Sequence, residues 1–198
     1  DEADEPVATP APSSPPQATP PASVPALLRG SLLHRVLEAW DCRGPVEPVV
    51  ERILMRDAPA VSLRDVIAPY LCERAAAFAQ TPVGRRLAAG EPAMREQAFL
   101  LRLGDTLVDG AIDLLFADGT VVDYKTGRDH PELHARYARQ VQLYALAVRM
   151  LTGKDVPGAF LCYIDAGEAT PIDVSPPVMQ ETLRKAREAV EVLSVYVP

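Results

Sequence analysis

A chain of 198 residues that is 48% hydrophobic and 24% charged has the composition of a globular protein and the length for one full core plus an appendage. It has no apolar run near the roughly 20 residues of a membrane span and no basic-then-apolar leader. Its three scattered cysteines, Cys42, Cys72 and Cys162, exclude a disulfide framework and read as reduced thiols of a cytoplasmic protein, and a net charge of −7 argues against a purely electrostatic grip on nucleic acid.

Residues 1–25 hold eight of the 20 prolines among Ala, Ser and Thr, and are expected to form a disordered or extended linker. Asp1, Glu2, Asp4 and Glu5 lie there with no Lys or Arg, which leaves −3 for the rest of the chain. With no initiator methionine, the sequence is expected to be the downstream part of a longer polypeptide.

Helical periodicity begins at residue 25, with Leu28, Leu32, Val36 and Trp40 on one stripe and His34 beside it. Residues 45–57 and 62–89 are expected to be two further helices, the second ending near Gly90-Glu91-Pro92. Together 26–92 form a helical N-terminal part. Residues 94–103 begin the sheet, with the charged Glu96 at the strand entry.

The next stretch, 106–128, holds two apolar runs around Ala117-Asp118-Gly119, and each run carries an acid, Asp113 or Asp123, where burial is expected. Asp-Gly between such runs marks a hairpin, and its loop length decides which residues share a face. A two-residue loop would set Leu114 opposite Asp123. A three-residue loop, with Gly119 at the positive φ of a bulge, would set Asp113 opposite Asp123. Lys125 then joins them, because residues two apart on a strand point the same way. Two carboxylates facing each other in a sheet repel, so they need cations. Lys125 supplies one charge, and a divalent ion would supply the rest; oxygen donors without a thiolate suit Mg2+ or Mn2+ rather than zinc.

A long helix is expected from Asp129-His130-Pro131-Glu132 to Thr152-Gly153, with Tyr137, Gln140 and Tyr144 along one face. Residues 156–165 read as a strand, 171–174 as a strand beside it, and 177–195 as an amphipathic closing helix. Apolar strands flanked by helices imply an α/β fold whose sheet is covered on both faces, with a core over 93–175 and a C-terminal helix over 176–198.

Gly110-Ala111-Ile112-Asp113 followed by Val122-Asp123-Tyr124-Lys125-Thr126-Gly127 resembles the core motif of the PD-(D/E)XK nucleases in their RecB-like branch. The segment around His34, Glu96 on the first core strand, and Gln140 with Tyr144 in YARQVQLYALA extend the resemblance over residues 29–175. It implies a restriction-endonuclease-like core, a central mixed sheet flanked by helices, that hydrolyses DNA phosphodiesters with Mg2+ or Mn2+. In that family pattern His34, Asp113, Asp123 and the main-chain carbonyl of Tyr124 would ligate metal, and Glu96 would lie close by. Lys125 would position water or meet charge on the phosphate, and Gln140 and Tyr144 would orient the phosphate or the catalytic strand.

Within the branch, the chain is similar to the C-terminal nuclease domain of an AddA-like helicase–nuclease subunit. The implied substrate is DNA, as single-stranded ends delivered by a helicase domain in cis or by a partner subunit, in double-strand-break repair and recombination. Iron–sulfur relatives need four clustered cysteines, which are missing, so no such cluster is expected. Three alternatives stay open. One is a standalone nuclease of the branch. A second is a catalytically silent nuclease fold used for docking or DNA binding, whose signature would be loss of an acid or the lysine. The third is an unrelated metabolic enzyme with another metal-assisted reaction.

Overall fold

The computed structural model describes residues 20–58, 60–127 and 131–196. The expected linker falls outside these up to residue 19, as do Arg128, Asp129 and His130 at the expected start of the long helix. Four helices come first: α1 (Ala26–Ala39), α2 (Glu47–Asp57), α3 (Val61–Ala79) and α4 (Pro82–Ala88). The strands are β1 (Ala93–Leu103), β2 (Thr106–Phe116), β3 (Val121–Lys125), β4 (Ala159–Tyr163) and β5 (Glu168–Pro171), with α5 (Pro131–Thr152) between β3 and β4 and α6 (Pro176–Tyr196) at the end.

Two expectations need correction. The single helix over 62–89 is two, because Pro82 has no N–H to continue α3 and Thr81 starts a new helix, its hydroxyl accepting from Gly84 N–H at 3.1 Å. The last strand lies at Glu168–Pro171 rather than 171–174. A tight turn, with Ala166 N–H donating to Tyr163 O and Gly167 N–H to Ile164 O, lets pairing start at once with Tyr163 opposite Glu168.

The sheet runs β1-β2-β3-β4-β5, antiparallel except where β3 and β4 lie parallel, joined by the crossover through α5. Each face has its own core. Leu32, Leu33, Val36, Leu37 and Trp40 of the α1 region pack with Leu114, Phe116, Val122, Tyr124 and Cys162. On the other face Val141, Ala145 and Leu146 of α5 and Met179 of α6 pack with Ile112, Leu115, Val121, Leu161 and Tyr163. The mixed, doubly covered α/β sheet is the architecture expected from the alternation of apolar runs and helices.

The β2–β3 loop has three residues. Phe116 N–H donates to Thr120 O at 3.0 Å, Gly119 N–H to Phe116 O at 2.9 Å, and Gly119 has φ +94°, which a residue with a Cβ rarely adopts. Leu115 thus pairs with Val121 and Leu114 with Val122, and there the ladder stops, although β2 is 11 residues long and β3 only five. Beyond that point the strands part. Ile112 and Leu114, which one straight strand would send to one side, end in different cores, so β2 turns sharply at Asp113. On β1 the matching point is Glu96, flanked by the pairs Arg95–Leu114 and Gln97–Ile112 and held at φ +48°. Left-handed backbone at a non-glycine residue costs on the order of 1 kcal/mol and marks a constrained position.

Candidate metal centre

The fork where β2 leaves β3 is the place where the chain's acids meet. Asp113 stands at the bend of β2, and its Oδ2 accepts the Tyr124 N–H at 2.6 Å, replacing the ladder bond that the parting strands lose. Asp123, on β3, is 1% exposed. The Lys125 ammonium lies 2.6 Å from its Oδ2, but not aligned as a hydrogen bond, so that buried oxygen has no hydrogen-bond partner. Lys125 also sits over the Tyr137 ring of α5, 4.9 Å from its centre.

Helix α1 closes the fork. Its apolar stripe is buried in the first core, and its backbone comes so near β3 that a Cβ on Gly30 would stand 3.0 Å from Thr126 Oγ1. That close approach turns His34 onto the site: Nδ1 is 4.0 Å from Asp113 Oδ2, and the ring meets Tyr124 edge-on at 5.8 Å. Arg95 ties the end of α1 to β1, donating to Leu37 O at 3.2 Å and Trp40 O at 2.9 Å, next to Glu96. One donor atom each of His34, Glu96 and Asp113 lies within 4.8 Å of the others. His34 and Glu96 also border an open cleft of about 610 Å³ lined by Leu27, Gly30, Ser31 and Thr126.

The structure regroups the residues expected at the site. Glu96, read as a neighbour of the metal, lies among the mutually close donors, whereas Asp123 lies outside that trio and is engaged by Lys125. Gln140 and Tyr144 bond each other, Nε2 to phenol oxygen at 2.6 Å, and Tyr144 packs edge-on to Phe99. Of that helix face, Tyr137 is the residue in contact with Lys125.

One group was missed from the sequence: Asp165, just past β4, whose Oδ2 accepts the Gly127 N–H at 2.6 Å while Tyr70 donates to its Oδ1 and Arg74 to its main-chain oxygen. In the sequence it was only the last residue of the strand expected over 156–165; the structure sets it beyond the carboxyl end of a strand parallel to β3.

Charge is poorly accommodated here without a cation. Burial pushes the Asp113 carboxyl up to about 6. Burial, then the charge of Asp113, pushes Asp123 up to about 6 as well. His34 is lowered, first by burial and then by Lys125. A donor set of carboxylates and an imidazole, with a buried carboxylate oxygen lacking a hydrogen bond, fits a hard divalent ion.

A prediction about stability follows. Both folded-state values lie above the usual carboxylate value of 3.8, so the folded protein holds these protons more tightly, and that contribution is full below about 3.8 and lost as pH rises through about 6. Without divalent ions the Tm is therefore expected to fall as pH rises from about 4 to 7. Ion pairs at Asp57 and Glu181, whose values are lowered by Arg56 and Arg184, act in the opposite sense. Measuring wild type minus Asp113→Asn cancels them, and Mn2+ should restore the loss at pH 7.5. A flat difference would show that the acids are not strained.

Comparison with known proteins bears on the family and the fold. The model of the PD-(D/E)XK nuclease superfamily matches residues 13–195. An ATP-dependent helicase/nuclease subunit of Pelotomaculum thermopropionicum is 31% identical over an alignment of 164 positions, covering 70% of this chain and 13% of that protein. The protein of the same name from Moorella thermoacetica is 31% identical over 170 positions, covering 70% of this chain and 12% of that protein. The chain thus spans about one-eighth of the length of these curated relatives. Among solved structures, a candidate exonuclease from Eubacterium rectale superposes with a TM-score of 0.55 at 13% identity, over 82% of this chain and 65% of the other, which is a likeness of fold.

Proposed function

The chain belongs to the PD-(D/E)XK nuclease superfamily, and from that premise we propose that it is a Mg2+- or Mn2+-dependent deoxyribonuclease that degrades DNA from single-stranded ends. On this reading it is the nuclease part of a longer helicase–nuclease polypeptide serving double-strand-break repair and recombination in the cytoplasm. The linker over 1–25 would tether a nuclease domain over 26–198 to its helicase. The naming of the relatives as helicase/nuclease subunits supports the biological setting. No helix among the described residues is long and apolar enough to cross a membrane.

One observation carries the chemistry: His34, Glu96 and Asp113 come from three separate elements to within 4.8 Å, beside the Asp123–Lys125 pair. His34, Asp113, Asp123 and the Tyr124 carbonyl would hold the ion, with Glu96 beside them. When bound, it polarises the phosphate and lowers the pKa of water it carries. The chain's own groups do the rest. Asp113, fixed by the Tyr124 N–H, is unable to swing out of the fork. Lys125, held between the Asp123 carboxylate and the Tyr137 ring, keeps a positive charge at one place, where phosphate oxygens gaining negative charge would meet it. The cleft beside α1 is the open approach to these groups, and Ser31 and Thr126 offer it hydroxyls. Gln140 and Tyr144 would steady the substrate side through their mutual hydrogen bond.

The silent-docking alternative would show a lost acid or lysine, yet every such residue is present. End-labelled linear single-stranded DNA is expected to shorten progressively with Mg2+ or Mn2+, while a circular single strand persists. No cleavage of either substrate, under any divalent ion and with a helicase partner supplied, would instead support the docking reading.

A further inference from the structure

The segment after β3 carries Lys125, Thr126 and Gly127 in succession, and the neighbouring structure holds it at two points. At Thr126 the side chain packs against α1, where a Cβ on Gly30 would stand 3.0 Å from its Oγ1. At Gly127, where φ is +100°, the N–H is turned out of the strand line and donates to Asp165 Oδ2 at 2.6 Å. Asp165 is itself fixed from α3: Tyr70, 3% exposed, donates to its Oδ1, and Arg74, also 3% exposed, donates to its main-chain oxygen. Just before it, Ile164 N–H donates to Lys125 O at 2.9 Å. Two buried side chains of the helical layer are thus joined through one residue to the turn two residues beyond the lysine. The bonds described for these three side chains run to one another, to Glu73 and to Gly127, whose chain neighbours lead back to Lys125.

We propose that Asp165 is a positioning residue: its carboxylate, held by Tyr70 while Arg74 holds its main-chain oxygen, fixes the Thr126–Gly127 turn and thereby the place of Lys125 at the metal centre. This inference rests on the nuclease reading of that centre. A lysine on a four-carbon stem relies on its backbone and packing for aim, and a misplacement near 1 Å is enough to cost about 100-fold in rate. The helical layer, which the sequence left without a role, acquires one as the rigid backing of the catalytic strand.

The test uses Asp165→Ala and Asp165→Asn in the full chain. Asparagine keeps an oxygen for the Gly127 N–H and can offer its amide to Tyr70, whose hydroxyl also accepts. Asp165→Ala is expected to lower turnover on single-stranded DNA about 10- to 100-fold. Its KM for DNA, and its affinity for Mn2+ measured by calorimetry, should stay within about threefold. Asp165→Asn should recover turnover to within about fivefold of wild type. Independently of activity, hydrogen exchange at the Gly127 amide should be slow in wild type and Asp165→Asn and at least about tenfold faster in Asp165→Ala. Should Asp165→Ala fail to fold, Asp165→Ser, too short to reach both donors, takes its place. Turnover of the shortened variant within twofold of wild type, or an unchanged Gly127 exchange rate, overturns the proposal, as does a loss that asparagine leaves unrecovered. If wild type cleaves no DNA, the nuclease reading has failed, and the exchange measurement alone decides whether Asp165 holds the turn.

Discussion

Asp123→Ala is expected to abolish DNA cleavage, with turnover at least about 1,000-fold below wild type at saturating Mg2+. Asp123 is the most buried acid of the fork, and removing it takes away a carboxylate that stands beside the donor trio and holds the Lys125 ammonium at 2.6 Å. It also leaves the Lys125 ammonium, 18% exposed, without its counter-charge, which adds a stability cost. Loss of activity must therefore be separated from loss of fold. Asp113→Asn provides the comparison, because an amide oxygen can keep the 2.6 Å bond from Tyr124 N–H while removing the buried charge. That variant should be inactive, bind Mn2+ at least tenfold more weakly, and melt at pH 7.5 no lower than metal-free wild type. Retained cleavage in either variant would contradict the assigned site.

Lys125→Ala should separate rate from metal binding. The lysine lies 2.6 Å from Asp123, so it competes with an ion for the same carboxylate. Taking it away removes a like charge from the neighbourhood of the incoming cation, and Mn2+ affinity at pH 8 should be unchanged or tighter. Turnover should nevertheless fall about 100- to 1,000-fold, since a fixed positive charge matters most where negative charge develops on the way to the transition state. Lys125→Arg should rescue poorly: its planar guanidinium differs from a compact ammonium, and Tyr137 bounds the space. Calorimetry with Mn2+ alongside single-turnover cleavage reads both quantities. Turnover equal to wild type would refute the role given to Lys125; a parallel loss of metal affinity would recast it as structural.

Much of the fork was legible because strand geometry is local. An Asp-Gly turn between apolar runs allowed two loop lengths, and the acids in both runs made sense together only with an odd one. The three-residue loop with Gly119 at φ +94° has that parity. Helix periodicity likewise placed His34 beside a buried stripe, and Val36 and Trp40 of that stripe are 0% and 6% exposed. The break between α3 and α4 was also written locally, in Thr81-Pro82, but the apolar pattern runs through it, and Pro69 inside α3 shows that a proline alone does not decide.

What the sequence by itself determined is whatever depends on neighbours along the chain: the order of most helices and strands, the buried stripe of α1, the parity of the β2–β3 loop, and the acid-lysine spacing of Asp123 and Lys125. Tertiary structure alone decided the rest. The ladder between β2 and β3 ends after Leu114–Val122, and β2 bends at Asp113 against Glu96 at φ +48°, which brings Glu96 into the donor trio and leaves Asp123 to Lys125. Asp165 meets Gly127 across 38 residues of chain, and Tyr70 and Arg74 meet Asp165 across 95 and 91. Contacts of that kind leave no periodic trace, because they are set by how two covered faces of a twisted sheet bring distant segments together, and a single side chain at each point suffices to make them.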